Sequence, residues 1–205
     1  MKLKIILLFI LINCSLHSQT NNELVNEVAK EYKDYKKKSV IDTTDKRIIT
    51  LLDNLFNESL QSDENKISEE TIDLYKKFYS IDSLPNWHLF FLFSNYQTFI
   101  SEATHNPALA NPDLQLWLIK TLSSEIESIF GYVPVMVAIY QGEAFLATGR
   151  KEAAIAHFSK YGRIYPNAIP IKVYRFQIES EFDIKEKLYD DLKTNHSTHW
   201  MVKNL

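Results

Sequence analysis

From Asn22 to the C-terminus, apolar residues recur every three or four positions with hardly a gap. No stretch shows the strict alternation, bounded by turn residues, that a half-buried strand requires. A period near 3.6 lays an apolar stripe along one side of a helix. The spacing therefore predicts an all-α chain. Only 4 Gly and 6 Pro occur in 205 residues, too few turn formers for a sandwich or barrel of short strands. A hydrophobic share of 45% is enough for a packed core and argues against a disordered linker.

The stripes can be followed in turn. Leu24, Val25, Val28, Tyr32 and Tyr35 form the first, which Ser39 to Thr44 interrupt. Ile48, Leu51, Leu52, Leu55, Phe56 and Leu60 form the second, ended by the polar run from Gln61 to Lys66. Ser68 reads as an N-cap with Glu69 and Glu70 set against the helix dipole, opening a third helix through Ile72, Tyr75, Phe78 and Tyr79. A fourth, opened by Ser83 and Pro85, carries Trp87, Leu89, Phe90, Phe91, Leu92, Phe93, Tyr96, Phe99 and Ile100. It has almost no polar face, so neighbours must cover it. Residues 104–111 read as the longest loop. Asn111 then caps a helix with Pro112 in its first position, and Gly131 suits the left-handed residue that ends it. Near the C-terminus, Asp183 to Glu186 reads as a capping box for a last helix through Leu188 and Leu192.

The first residues have the layout of an export signal. Lys2 and Lys4 precede the apolar run Ile5 to Ile12, and Ser15 and Ser18 follow. The run falls short of the ~20 apolar residues that span a bilayer. Two cleavage readings stand side by side. One cuts near Ser18–Gln19, where the stretch resembles signals of Bacteroidetes-like bacteria, and releases residues 19–205 as a single all-helical domain. The other takes Leu11-Ile12-Asn13-Cys14 as resembling a lipobox, with Cys14 as the lipidated first residue, although Asn13 departs from the Gly or Ala usual there. Cys14 is the only cysteine, so the first reading leaves no thiol for a disulfide, a nucleophile or a metal.

Between residues 135 and 168 one pattern is specific enough to name. Gly142, Ala144, Phe145, Gly149, Ala154, Ile155, Phe158, Pro166 and Asn167 stand in a fixed register, and it resembles a tetratricopeptide repeat. In that family two antiparallel helices pack through small residues, here Gly142 and Ala154, with large ones, here Phe145 and Phe158, filling the adjoining holes. The turn falls at Thr148-Gly149-Arg150, and Pro166 closes the second helix. Ala138, Gln141, Tyr161 and Gly162 depart from the usual residues. The resemblance implies antiparallel helical hairpins in a short, irregular array, since one such repeat cannot bury both its faces alone. It further implies a groove that receives a protein or peptide partner, lined by Met136, Ile139, Tyr140, Glu143 and Ala147.

Little points to chemistry. The net charge is −3 with no long basic block, which argues against a nucleic-acid partner. No phosphate-cradling glycine loop, nucleophile elbow or paired-histidine zinc motif occurs, so no cofactor is implied. His196 and His199 near Asp190 and Asp191 form the best metal candidate, but they sit in what reads as a solvated tail. His88 and His157 lie among apolar residues and read as packed histidines; an enzyme would have to assemble His88, Glu143 and His157 from scattered positions. The expectation is thus an exported, non-enzymatic helical protein that mediates protein binding or scaffolding in the cell envelope. It would touch the membrane only through a lipidated Cys14, in which case a lipoprotein subunit of an outer-membrane assembly is the alternative.

Overall fold

In the computed structural model, which describes residues 21–80, 84–203 and 205, ten α-helices follow one another and no strand occurs among the described residues. The all-α expectation holds. The candidate export signal and Cys14 lie outside the described residues. The helices are α1 (Asn21–Lys38), α2 (Arg47–Leu55), α3 (Glu69–Ser80), α4 (Trp87–His105), α5 (Pro112–Phe130), α6 (Val135–Ala147), α7 (Lys151–Ile164), α8 (Ile169–Ile178), α9 (Phe182–Asn195) and α10 (Trp200–Lys203). A π-helical turn, Phe56–Leu60, extends α2, and a 3₁₀ turn, Pro107–Leu109, follows α4. Among the described residues no helix is long and apolar enough to cross a membrane.

From α4 onward each helix packs on the next: α4 on α5, α5 on α6, α6 on α7, α7 on α8 and α8 on α9. The N-terminal helices lie against this series, α1 on α4 and α5, and α2 on α3 and α6. The nine residues His88–Tyr96 of α4 are all buried, because α1 and α5 cover that helix and Phe78 of α3 stacks on Phe90 at 4.6 Å and 14°. The uniformly apolar sequence of α4 follows from this position.

Local signals account for several helix ends. Asn111 Oδ1 accepts the backbone N–H of Leu114 at 3.0 Å, and Gly131 ends α5 at φ 81°. Ser68 Oγ accepts the N–H of Thr71 at 3.2 Å. Gly149, at φ 72°, turns the chain from α6 into α7. Midway along α6, a Cβ on Gly142 would stand 2.2 Å from Cζ of Phe158 on α7, so a glycine lets the two helices meet there.

Four readings need correction. Helix α4 begins at Trp87, behind Asn86 in the left-handed region at φ 57°. Pro85 lies in the turn before the helix and Ser83 outside the described residues, while the Asn86 side chain binds the backbone of Asp42, accepting at 3.0 Å and donating at 2.6 Å, and so braces the α1–α2 connection. Residues 104–111 are largely ordered into the end of α4 and the 3₁₀ turn, and among the described residues 39–46 and 61–68 are the longer connections. No capping box forms at Asp183; α9 starts at Phe182, and Glu179 Oε1 accepts the N–H groups of Ser180 and Glu181 at 2.9 and 3.2 Å. The C-terminal tail is not solvated. His199 and Val202 are fully buried, His199 Nε2 donates to the Leu60 carbonyl at 2.9 Å, and Val202 joins Ile169, Val173 and Leu192 in a small second core.

Candidate functional site

Helix α6 carries the residues singled out for partner binding, and the structure distributes them unevenly. Met136 and Ile139 are buried, Tyr140 and Glu143 are half-buried, and Ala147 is exposed. Ile139 belongs wholly to the core, with no surface left to offer. Met136 and Tyr140 instead form part of the floor of a cleft of about 260 Å³. Phe93 and Gln97 of α4 complete that floor. Leu55 and Ser59 form one wall, and Ile67, Thr71, Ile72 and Tyr75 form the other.

Only Thr71 and Phe78 of α3 are buried. Its N-terminal end is held by a polar tie: Glu58 accepts from the Ser68 backbone at 2.7 Å, from Ser68 Oγ at 3.0 Å and from Thr71 Oγ1 at 2.8 Å. These bonds hold the Glu58 carboxyl below its ordinary pKa, the Ser68 backbone donor first among them. Ile67 and Ile72 stay 40% and 41% exposed at the rim. The lining is aliphatic and aromatic with a few hydroxyl and amide groups, and its volume lies just under the ~300–1,000 Å³ of drug-sized pockets. That size admits one or two apolar side chains rather than a whole cofactor.

Behind the cleft floor lies a layer of tyrosines. Tyr96 OH donates to the Tyr140 carbonyl at 3.1 Å, and the two rings stand 5.0 Å apart. Tyr174 of α8 donates its hydroxyl to Glu143 Oε1. Burial pushes the Glu143 carboxyl above its usual range, and the Tyr174 bond works against that rise. Burial likewise raises the Tyr140 hydroxyl, opposed by a hydrogen bond with Gln97. Glu143 therefore serves to tie α6 to α8, in addition to whatever surface it presents.

His88, Glu143 and His157 are each held by different partners. His157 Nε2 donates to the Ala138 carbonyl at 2.7 Å. His88 is fully buried, with Nδ1 2.9 Å from Ser39 Oγ and Nε2 3.8 Å from Glu125 Oε2. Glu125 Oε1 accepts from Tyr32 OH at 2.7 Å and from Lys36 Nζ. Burial drives the His88 pKa down to about 4, Glu125 opposing and Lys36 assisting. Burial alone would raise Glu125, but the hydrogen bonds from Lys36 and Tyr32 outweigh it and hold the carboxyl below its usual value. Of the C-terminal candidates, Asp191 accepts from Lys172 at 2.6 Å while His199 is bound to Leu60. Among the described residues no group of three or more His, Cys, Asp or Glu could hold a metal ion.

Of the five α6 residues singled out from the sequence, Met136 and Tyr140 line the cleft and Ile139, Glu143 and Ala147 do not, and the α3 side of the cleft was not singled out. Ile67, Ile72 and Tyr75 look like the ordinary inward stripe of an amphipathic helix, and nothing local separates a residue lining a cleft from one lining a core. The chain matches no protein-family model, no curated protein and no solved structure.

Proposed function

We propose that this is an exported helical protein of the cell envelope that binds a partner protein, holding an apolar segment of that partner in the cleft above Met136 and Tyr140. The observation that carries the reading is the cleft itself, with an apolar floor and with Ile67 and Ile72 left two-fifths exposed at its rim. Withdrawing one Leu- or Phe-sized side chain into such a place contributes about 1.5–3 kcal/mol. That is the worth of one anchoring side chain, about a 10- to 150-fold gain in affinity, to which the segment's other contacts must add.

Supporting the repeat-like part of the reading, the register of residues 135–168 agrees with the close contact of Gly142 and Phe158 and with the left-handed turn at Gly149. Antiparallel hairpins of this kind, irregular in number, would give α4, α6 and α8 a common face, over which α2 and α3 lie. Export rests on Lys2, Lys4 and the run Ile5 to Ile12. The mass of the mature N-terminus distinguishes release after Ser18 from lipidation at Cys14.

The test is site-directed photocrosslinking in the native cells, with a benzophenone side chain in place of Ile72 and, as control, in place of the exposed Phe182 of α9. The expected result is one recurrent product from position 72, mapped to a partner segment rich in apolar residues and absent from position 182. Equal products from both positions, or a polar linked segment, would overturn the proposal.

A further inference from the structure

The C-terminal half of α1 and Ser39, the residue after its end, send three polar side chains into one partly buried cluster. Tyr32 and Lys36 both donate to Glu125 Oε1 on α5, and Ser39 pairs with His88 Nδ1 on α4. His88 is entirely enclosed, yet its Nε2 has no hydrogen-bond partner and faces Glu125 Oε2 across 3.8 Å. A buried polar atom left without a partner is uncommon and costs stability. Here it stands beside a carboxylate whose other oxygen is already taken twice.

We propose that His88 is a proton-operated latch, which on protonation draws Glu125 away from Lys36 and Tyr32 and loosens the last turns of α1 from the α4–α5 face. A neutral imidazole has one N–H, and Ser39 satisfies the Nδ1 side in either tautomer. An imidazolium has two. Ser39 Oγ accepts the first, and Glu125 Oε2 comes within range of the second by moving about 1 Å, to the ~2.9 Å of a normal hydrogen bond. That movement carries Oε1 away from Lys36 and Tyr32. The groups facing the ring are Glu125 from α5 and Lys36 and Tyr32 from α1. Lys36, 40% exposed, turns to water when released. The aromatic contacts of Tyr35 with Trp87 and Phe91, each at 4.7 Å, remain as the hinge about which the end of α1 frays.

Hydrogen-exchange mass spectrometry of the full chain at pH 7.0, 5.5 and 4.5, corrected for intrinsic rates, tests this. Amides of residues 35–39 should lose at least tenfold protection across that range while α6 keeps its own. In His88→Gln the protection of α1 should no longer depend on pH. If Gln at 88 prevents folding, Lys36→Met at the half-exposed position serves instead: α1 should already show the acid level of protection at pH 7.0. The latch is overturned if His88→Gln follows the wild-type profile, if Lys36→Met leaves α1 protection unchanged, or if α1 and α6 lose protection together.

Discussion

Replacing Gly142 by alanine adds one methyl group where α6 and α7 touch. Its carbon would stand 2.2 Å from Cζ of Phe158 and 2.6 Å from both Cε atoms, far inside van der Waals contact. The ring has little room to retreat, because Phe158 is fully buried and stacks on Tyr174 at 5.3 Å and 8°. An alanine in a helix interior would otherwise stabilise by about 1 kcal/mol over glycine. Overpacking a closed core costs about 1–3 kcal/mol, and a contact this short belongs at or above the top of that range. The net expectation is a loss of about 2 kcal/mol, which for a chain of this size lowers Tm by roughly 4–8 °C. Urea and thermal denaturation followed by circular dichroism measure it. The double variant isolates the cause: Phe158→Ala alone should cost about 3–5 kcal/mol, and Gly142→Ala added to it should then be neutral or stabilising. A Gly142→Ala protein as stable as wild type, or one whose loss persists without the Phe158 ring, would refute the reasoning.

Other changes follow from the same contacts. Ending the chain after His196 removes buried Val202 and the His199 bond to the Leu60 carbonyl; the loss should be about 2–4 kcal/mol, seen as a lower urea midpoint. Tyr174→Phe keeps the stacking on Phe158 but deprives the Glu143 carboxyl of its donor, costing about 1–3 kcal/mol at neutral pH and less in acid, where a carboxyl with a raised pKa is protonated. His88 titrates near 4 when folded, below the ~6.5 of an unperturbed histidine. The hold it gives the end of α1 is therefore complete above pH 6.5 and is lost as pH falls towards 4, and His88→Gln should flatten that part of the α1 protection profile. Glu125, held low, adds its own loss only below its ordinary carboxylate range.

Much of the architecture was legible because its signals are local. The helical period, the Asn111 cap, the Ser68 cap and the glycines at 131 and 149 each act within one turn of chain, and each does in the structure what its residue type dictates. What could not be read depends on partners distant in sequence. Asp183 to Glu186 has the letters of a capping box, but α9 already begins at Phe182, which puts Asp183 inside its first turn. The tail from His196 looks polar, yet one carbonyl on the π turn, at Leu60, draws His199 inside. Asn86 has a capping residue's chemistry and spends it on Asp42, 44 positions earlier. The cleft follows the same rule: α6 announced Met136 and Tyr140, while Ile67 and Ile72 acquire their place only when α3 falls across α4.

The most direct test of cleft binding uses the methionines. Met136 lies in the cleft floor and Met201 packs at the C-terminal cluster, so carbon-13 methyl labelling provides a reporter and an internal control in one sample. Titrated with a synthetic copy of the partner segment crosslinked at position 72, the Met136 signal should shift and saturate while Met201 stays still, and Ile72→Glu should weaken that binding at least tenfold. A Met136 signal that never moves at saturating peptide, or a shift confined to Met201, would contradict the cleft as the binding site.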